Sequence, residues 1–278
     1  MAASLREENI MISLPLRLLG AALLVSLTMF QIVRADSSDE TPLNIDLDLS
    51  KSFDTHAPWH FRATQEPNAV DGNTGEDEPG LVHLCLQANP SAACEPWAVK
   101  PQSGDPSYAE AWAPHYLDDP TVVYIETTKT PLLLLRLASL HSGNGDQLVY
   151  TQLLAYDRAA DRFRLAYARD TGHNNNQEVR FIVAGPLQGD VISVEPTEDA
   201  PFGYWVTVSA LKPTLTYEQV LHYRSATRYG DGNPLAVIDA EMQNIQQHLG
   251  LWHTGQPLPL PAEDRSKPHL VKQVLWCN

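Results

Sequence analysis

From Thr121 to Leu211 the chain repeats a strand-length apolar run about every ten residues, each bounded by Gly, Pro, Asn or Asp. The runs are TVVYIET, LLLLRLASL (132–140), LVYTQLLAYD, FRLAYAR, VRFIVA (179–184), DVISVEP (190–196) and GYWVTVSAL (203–211). This spacing predicts a mainly β fold, an antiparallel sandwich, barrel or propeller-like sheet. The run at 132–140 is apolar on both faces, as a strand in a central layer must be. LVYTQLLAYD and FRLAYAR, joined by RAADR, read as a hairpin in which Phe163, Leu165 and Tyr167 share an inward face. Tyr217 to Tyr229 reads as one further long strand.

A C-terminal helix is marked over about 234–249. Asn233 can cap it, Pro234 suits its first position, and Gly250 suits its exit. Ile238, Met242, Ile245 and Leu249 fall on one stripe, so the helix is expected to dock on a sheet. HLVKQVLWC (269–277) reads as a last strand, and Ser107 with Glu110 as a capping box for a short helix before Pro114. Residues 36–80 are rich in Asp, Glu, Thr, Pro and Asn and read as an extended acidic leader with at most one strand near Trp59–Arg62. The expected division is therefore a leader at 36–80 and a single mainly β domain at 81–278.

Residues 18–33, LLGAALLVSLTMFQIV, follow Arg17 and end in the small-residue pattern Val33-Arg34-Ala35. This is a signal-peptide pattern over 1–35, with Met11 as the better start and cleavage expected between Ala35 and Asp36. Sixteen apolar residues are short for a membrane span, so stable membrane insertion is not expected after cleavage. The expected address is periplasmic or secreted.

The whole chain has 19 Lys and Arg against 34 Asp and Glu. Cleavage leaves 16 basic and 32 acidic residues, so the acidic balance belongs to the exported part. Nucleic acid is excluded as a partner because its affinity rests on clustered Lys and Arg, and no basic run of three occurs. Export makes Cys85, Cys94 and Cys277 candidates for oxidation. Cys85 with Cys94 would close a short turn-bearing loop; either pairing with Cys277, or no bridge, stays open.

Asp71, Asn73 and Asp77 alternate in a Gly-containing loop whose hard oxygens suit calcium. AVDGNT (69–74) resembles the calcium-proximal loop of discoidin-like carbohydrate-binding jelly rolls, a resemblance that implies glycan binding. His173, Asn174, Asn175, Asn176, Gln177 and Glu178 form a polar block at a turn. Amides both donate and accept hydrogen bonds, so His173 and Asn174–Asn176, with Asp231 and Asn233 in a second loop and the Gly-rich turn at 142–147, are candidate binding residues for a small glycan or protein ligand. His56 and His60 have H-x3-H spacing, but Pro58 between them disfavours the helix a zinc site would need. Tyr204 and Trp205 follow an acidic loop where an aromatic face could meet a sugar, and strand alternation is expected to send one of them inward.

No nucleotide-binding, nucleophile-elbow or zinc-protease pattern is present. The preferred expectation is an exported binding or envelope-interaction protein. The alternative is a periplasmic hydrolase of a glycan or peptide, with His173 paired to Glu178, Glu195 or Asp199 as acid and base.

Overall fold

Alternation of outward polar and inward apolar side chains organises nearly every strand, and where it fails the strand lies in the middle of the molecule. The computed structural model describes residues 43–72, 74–89, 91–99, 113–125, 127–141, 147–172, 177–225, 227 and 237–257, with the backbone of 269–271 and 274–276. In chain order the elements are β1 (Asn44–Asp48), α1 (Ser50–Phe53), β2 (His60–Gln65), β3 (Ala69–Val70), β4 (Asp77–Glu78), β5 (Val82–Gln87), β6 (Glu95–Trp97), β7 (Tyr116–Leu117), β8 (Thr121–Ile125), β9 (Thr130–Ala138), β10 (Leu148–Asp157), β11 (Arg162–Gly172), β12 (Glu178–Phe181), β13 (Val191–Pro196), β14 (Tyr204–Leu211), β15 (Tyr217–Ser225), α2 (Val237–His248), β16 (His269–Val271) and β17 (Val274–Trp276). Every strand pairing is antiparallel.

Three principal sheets form, and none closes into a barrel among the described residues. The first has the order β1-β2-β5-β6, the second β11-β10-β9-β7 with β8 also on β9, and the third β12-β13-β14-β15. Two small two-stranded sheets, β3-β4 and β16-β17, complete the set. The fold is mainly β with a C-terminal helix packed on its last large sheet, as the strand spacing and the apolar stripe led one to expect. No helix among the described residues is long and apolar enough to cross a membrane.

β9 carries the central layer. Leu133, Leu135 and Leu137 pack with Leu84, Leu86, Phe61 and Phe163 on the side of the first sheet. Leu132 and Leu134 pack with Val191 and Phe181 on the side of the third. The opposite face of the third sheet, with Ile192, Val194, Val206 and Val208, receives Ile238, Met242 and Ile245 of α2. Burial of each such side chain contributes about 1.5–3 kcal/mol, which is why a run that looks featureless in sequence becomes the most buried strand. Gly250 follows α2 with φ +70°, the left-handed conformation that ends a helix.

Several expectations need correction. Residues 36–80 are not merely an acidic leader: β1 and β2 are paired strands of the first sheet, and Leu49, Phe53, Trp59, Phe61 and Ala63 are core residues. Their apolar side chains alternate with Asp46, Asp48, His60 and Arg62, so average composition conceals a half-buried pattern. Phe163, Leu165 and Tyr167 do not share one inward face. Leu153 pairs with Tyr167 and Leu154 with Leu165, so Ala166 is an extra bulged residue. The bulge turns Leu165 outward, 43 % exposed, and buries Ala166 instead. His269–Val271 and Val274–Trp276 form two antiparallel strands, not one strand. The short helix expected near Ser107 lies outside the described residues, as do the cap positions Asn233 and Pro234.

Among the described residues Cys85 and Cys94 form a disulfide, with Cα atoms 5.6 Å apart. It joins the outer face of β5 to the residue preceding β6, the short-loop pairing among those left open by sequence.

Candidate functional site

A cleft of about 360 Å³ opens where the start of β2, the β5-β6 pair, the start of β11 and the β14-β15 turn meet. Its polar lining is Glu95, Arg162, Arg164 and Thr216, and its apolar lining includes Trp59, Trp97 and Leu165. A hollow of this volume lies within the range of small-ligand sites.

Both tryptophans are fixed through their indole N–H groups. Trp59 Nε1–H donates to Asp161 Oδ1 at 3.0 Å, and the Tyr156 hydroxyl donates to the same oxygen. Those bonds, from Tyr156 first and then Trp59, hold the Asp161 carboxyl below the usual carboxylate range. Trp97 Nε1–H donates to Oε1 of Gln152 at 2.8 Å, and Gln152 is itself buried in β10. Phe163 meets Trp59 edge-on at 5.6 Å between ring centres. The indoles therefore present carbon surface to the cleft from settled positions, which lowers the ordering cost of binding.

The charges divide differently. Arg164 Nη1 donates to Asp157 Oδ2 at 3.0 Å. Among the described residues, Arg162 and Glu95 make no ion pair, although they line the same cleft. A larger hollow of about 620 Å³ lies beside the disulfide. It is bounded by Val99 and Ala113, which adjoin residues outside the described set.

Among the described residues, none of the site candidates singled out from sequence lines this cleft. His173, Asn174, Asn175, Asn176, Asp231, Asn233 and the turn at 142–146 lie outside the described residues. Glu178 is described, and it is engaged in structure. Arg180 Nη2 donates to Glu178 Oε1 at 2.6 Å, Arg180 Nη1 donates to Asp239 Oδ1 at 2.7 Å, and the Ile238 amide donates to Glu178 Oε2 at 3.1 Å. Burial pushes the Glu178 carboxyl up, against the pull of the Arg180 charge. The group ties β12 to the first turn of α2. Glu195 accepts a hydrogen bond from Arg169, and the main-chain oxygen of Asp199 accepts one from Arg224.

In the loop expected to favour calcium, Asp71 Oδ1 accepts the Thr74 amide at 3.0 Å, a turn-forming bond. Asp77 lies in β4 opposite Val70, and Asn73 falls outside the described residues. Among the described residues no group of three or more His, Cys, Asp or Glu could hold a metal ion. His60 opens strand β2 and bonds Asp46 at 2.6 Å, so His56 and His60 do not share a helix face. Tyr204 points inward, and Trp205 stacks on His222 at 4.8 Å with Arg224 at 5.8 Å from its ring centre. Its ring is thus engaged within the protein and offers less to a sugar than its exposure in sequence suggests.

A second carboxyl is perturbed by burial away from the cleft. Burial raises the Asp190 carboxyl from 3.8 to about 6, with Lys212 opposing. The folded state therefore holds this proton more tightly than the unfolded chain does, and the resulting stabilisation is complete below 3.8 and lost as pH rises through about 6. Asp190→Asn is expected to stabilise the fold at pH 8 by about 1 kcal/mol, since solvent screens this half-buried side chain, while changing little at pH 3.5. Thermal melts of both proteins across that range check this; equal differences at the two pH values would refute it.

No protein-family model, curated protein or solved structure matches the chain. The cleft residues were missed in sequence because they come from five separate elements. The scattered tryptophans and the Arg162/Arg164 alternation were the signals present, and neither has a spacing that predicts convergence.

Proposed function

We propose that this is an exported binding protein that takes a small ligand in the Trp59–Trp97 cleft. The observation that carries the reading is the pairing of two pinned indoles with the charges of Arg162 and Glu95, which no protein ion pair neutralises among the described residues. Fixed apolar surface with a few convergent polar groups is the usual make-up of a small-molecule site. The Cys85–Cys94 bond supports export, since such bridges persist in oxidising compartments, and the 1–35 pattern supplies the route. A binding role is favoured over hydrolysis because Glu178 and Glu195 are held by Arg180 and Arg169.

Two measurements test the reading. N-terminal sequencing of the protein recovered from the extracytoplasmic fraction should begin at Asp36; a chain retained in the cytoplasm would end the export proposal. Thermal-shift titration with neutral sugars, amino acids and short peptides should find a class that raises the melting temperature. Leu165→Glu, placed on an exposed wall of the cleft, should abolish that rise without lowering the melting temperature of the free protein. Ligands that stabilise both proteins equally, or none that stabilises either at millimolar concentration, would overturn the cleft as the site.

A further inference from the structure

Opposite charges that share a small cleft ordinarily close on each other. Glu95 and Arg162 do not, and they stand on separate strands, Glu95 at the start of β6 and Arg162 at the start of β11. Arg164, two residues along, already has its carboxylate in Asp157. One positive and one negative charge are therefore left to face the same 360 Å³, above a wall made of Trp97 and Leu165.

The charges sort the ligands. A simple anion would meet Arg162 with Glu95 still repelling it, and a simple cation would meet the reverse. A neutral molecule would cover both charges and exchange their water for nothing of equal strength. Only a ligand with both signs offers each charge a partner, and charge-assisted hydrogen bonds are the stronger kind. The tryptophans add carbon surface but no free indole N–H, since both donors are taken. The ligand body that fits this wall is apolar.

We infer that the cleft binds a zwitterion of amino-acid size with an apolar side chain, its carboxylate on Arg162, its ammonium on Glu95 and its side chain against Trp97 and Leu165. This rests on the cleft being the binding site, and it names the ligand class.

The probe is L-phenylalanine, titrated calorimetrically into the purified full chain beside three analogues. These are L-phenylalaninamide, which keeps only the positive charge, N-acetyl-L-phenylalanine, which keeps only the negative, and N-acetyl-L-phenylalaninamide, which keeps neither. L-phenylalanine should bind at least tenfold more tightly than each analogue. Arg162→Gln should remove its advantage over the amide, and Glu95→Gln its advantage over the N-acetyl acid. Both side chains are exposed, so unchanged melting temperatures will show that the variants are folded. Any analogue binding within threefold of L-phenylalanine, or both variants retaining the full preference, overturns the zwitterion assignment. If all four compounds bind alike and Leu165→Glu abolishes them, the cleft stands and the ligand class falls. If none binds, the zwitterion assignment falls; if sugars and peptides also fail, the cleft reading falls with it.

Discussion

Glu241→Leu is expected to destabilise the protein by about 3–5 kcal/mol, the largest effect of any single replacement considered. Glu241 is 1 % exposed, on the face of α2 turned to β15. Its carboxylate accepts from the Tyr223 hydroxyl at 2.7 Å, from the Asn244 amide at 3.0 Å, and from the hydroxyls of Ser225 and Thr227. Burial alone would raise its pKa, yet those donors together hold the carboxyl below its ordinary value. Leucine would fill much of the volume and leave four polar groups without their acceptor. Denaturant unfolding monitored by tryptophan fluorescence measures the loss, and a change below 1 kcal/mol would show that the network contributes little. The pH dependence has a definite sign. A folded value below the unfolded one gives stability that is present above about pH 4.5 and lost as pH falls through the lowered folded value. Acid should therefore weaken the natural protein more than Glu241→Leu, so the gap between them should narrow below pH 4. Asp190 works in the opposite direction, which is why each variant must be followed across pH.

Arg180→Met comes second, with an expected cost of about 3–4 kcal/mol. Methionine keeps the length and the apolar stem of the side chain. It also leaves the Glu178 and Asp239 carboxylates together with no cation between them, and Asp239 is only 3 % exposed. The companion variant is Arg180→Met with Glu178→Gln and Asp239→Asn. It should recover most of the loss, because replacing all the charges of a buried ion group costs far less than removing one sign. Failure of the triple variant to recover stability would show that Arg180 acts through its packing and not its charge.

Much of the architecture is legible in sequence, for a definite reason. Strand period, turn residues and the α2 stripe are local, and the chain obeys them wherever one face meets a core. Even the doubly apolar run at 132–140 reads correctly, because a layer between two sheets needs no polar face. The failures are also physical. In NIDLD, Ile45 and Leu47 alternate with aspartates, but the aspartate content of residues 36–80 dominates any average, so the strand is lost in its composition. The bulge at Ala166 inverts the faces of β11 beyond it, and nothing in FRLAYAR marks the place. The cleft is the least legible feature. Trp59, Trp97 and Arg162 are distant in sequence, and their convergence depends on how the first sheet lies on the second. Glu178 illustrates the converse: an acidic residue five positions from a histidine invites a catalytic reading until Arg180 and the first turn of α2 are seen to claim it.

The order of strands has a consequence for how the chain acquires this structure. In the second and third sheets, β8-β9-β10-β11 and β12-β13-β14-β15 pair with their neighbours in sequence, and no parallel crossover interrupts them. Each hairpin closes a short loop, whose entropic cost is small, so pairing within a sheet does not wait for distant segments to meet. The layers also follow one another along the chain, the first sheet before the second, the second before the third, and α2 after the third. A polypeptide emerging N-terminus first can thus finish one layer before the next arrives to cover it, and the last large apolar surface to be hidden is the one that α2 closes.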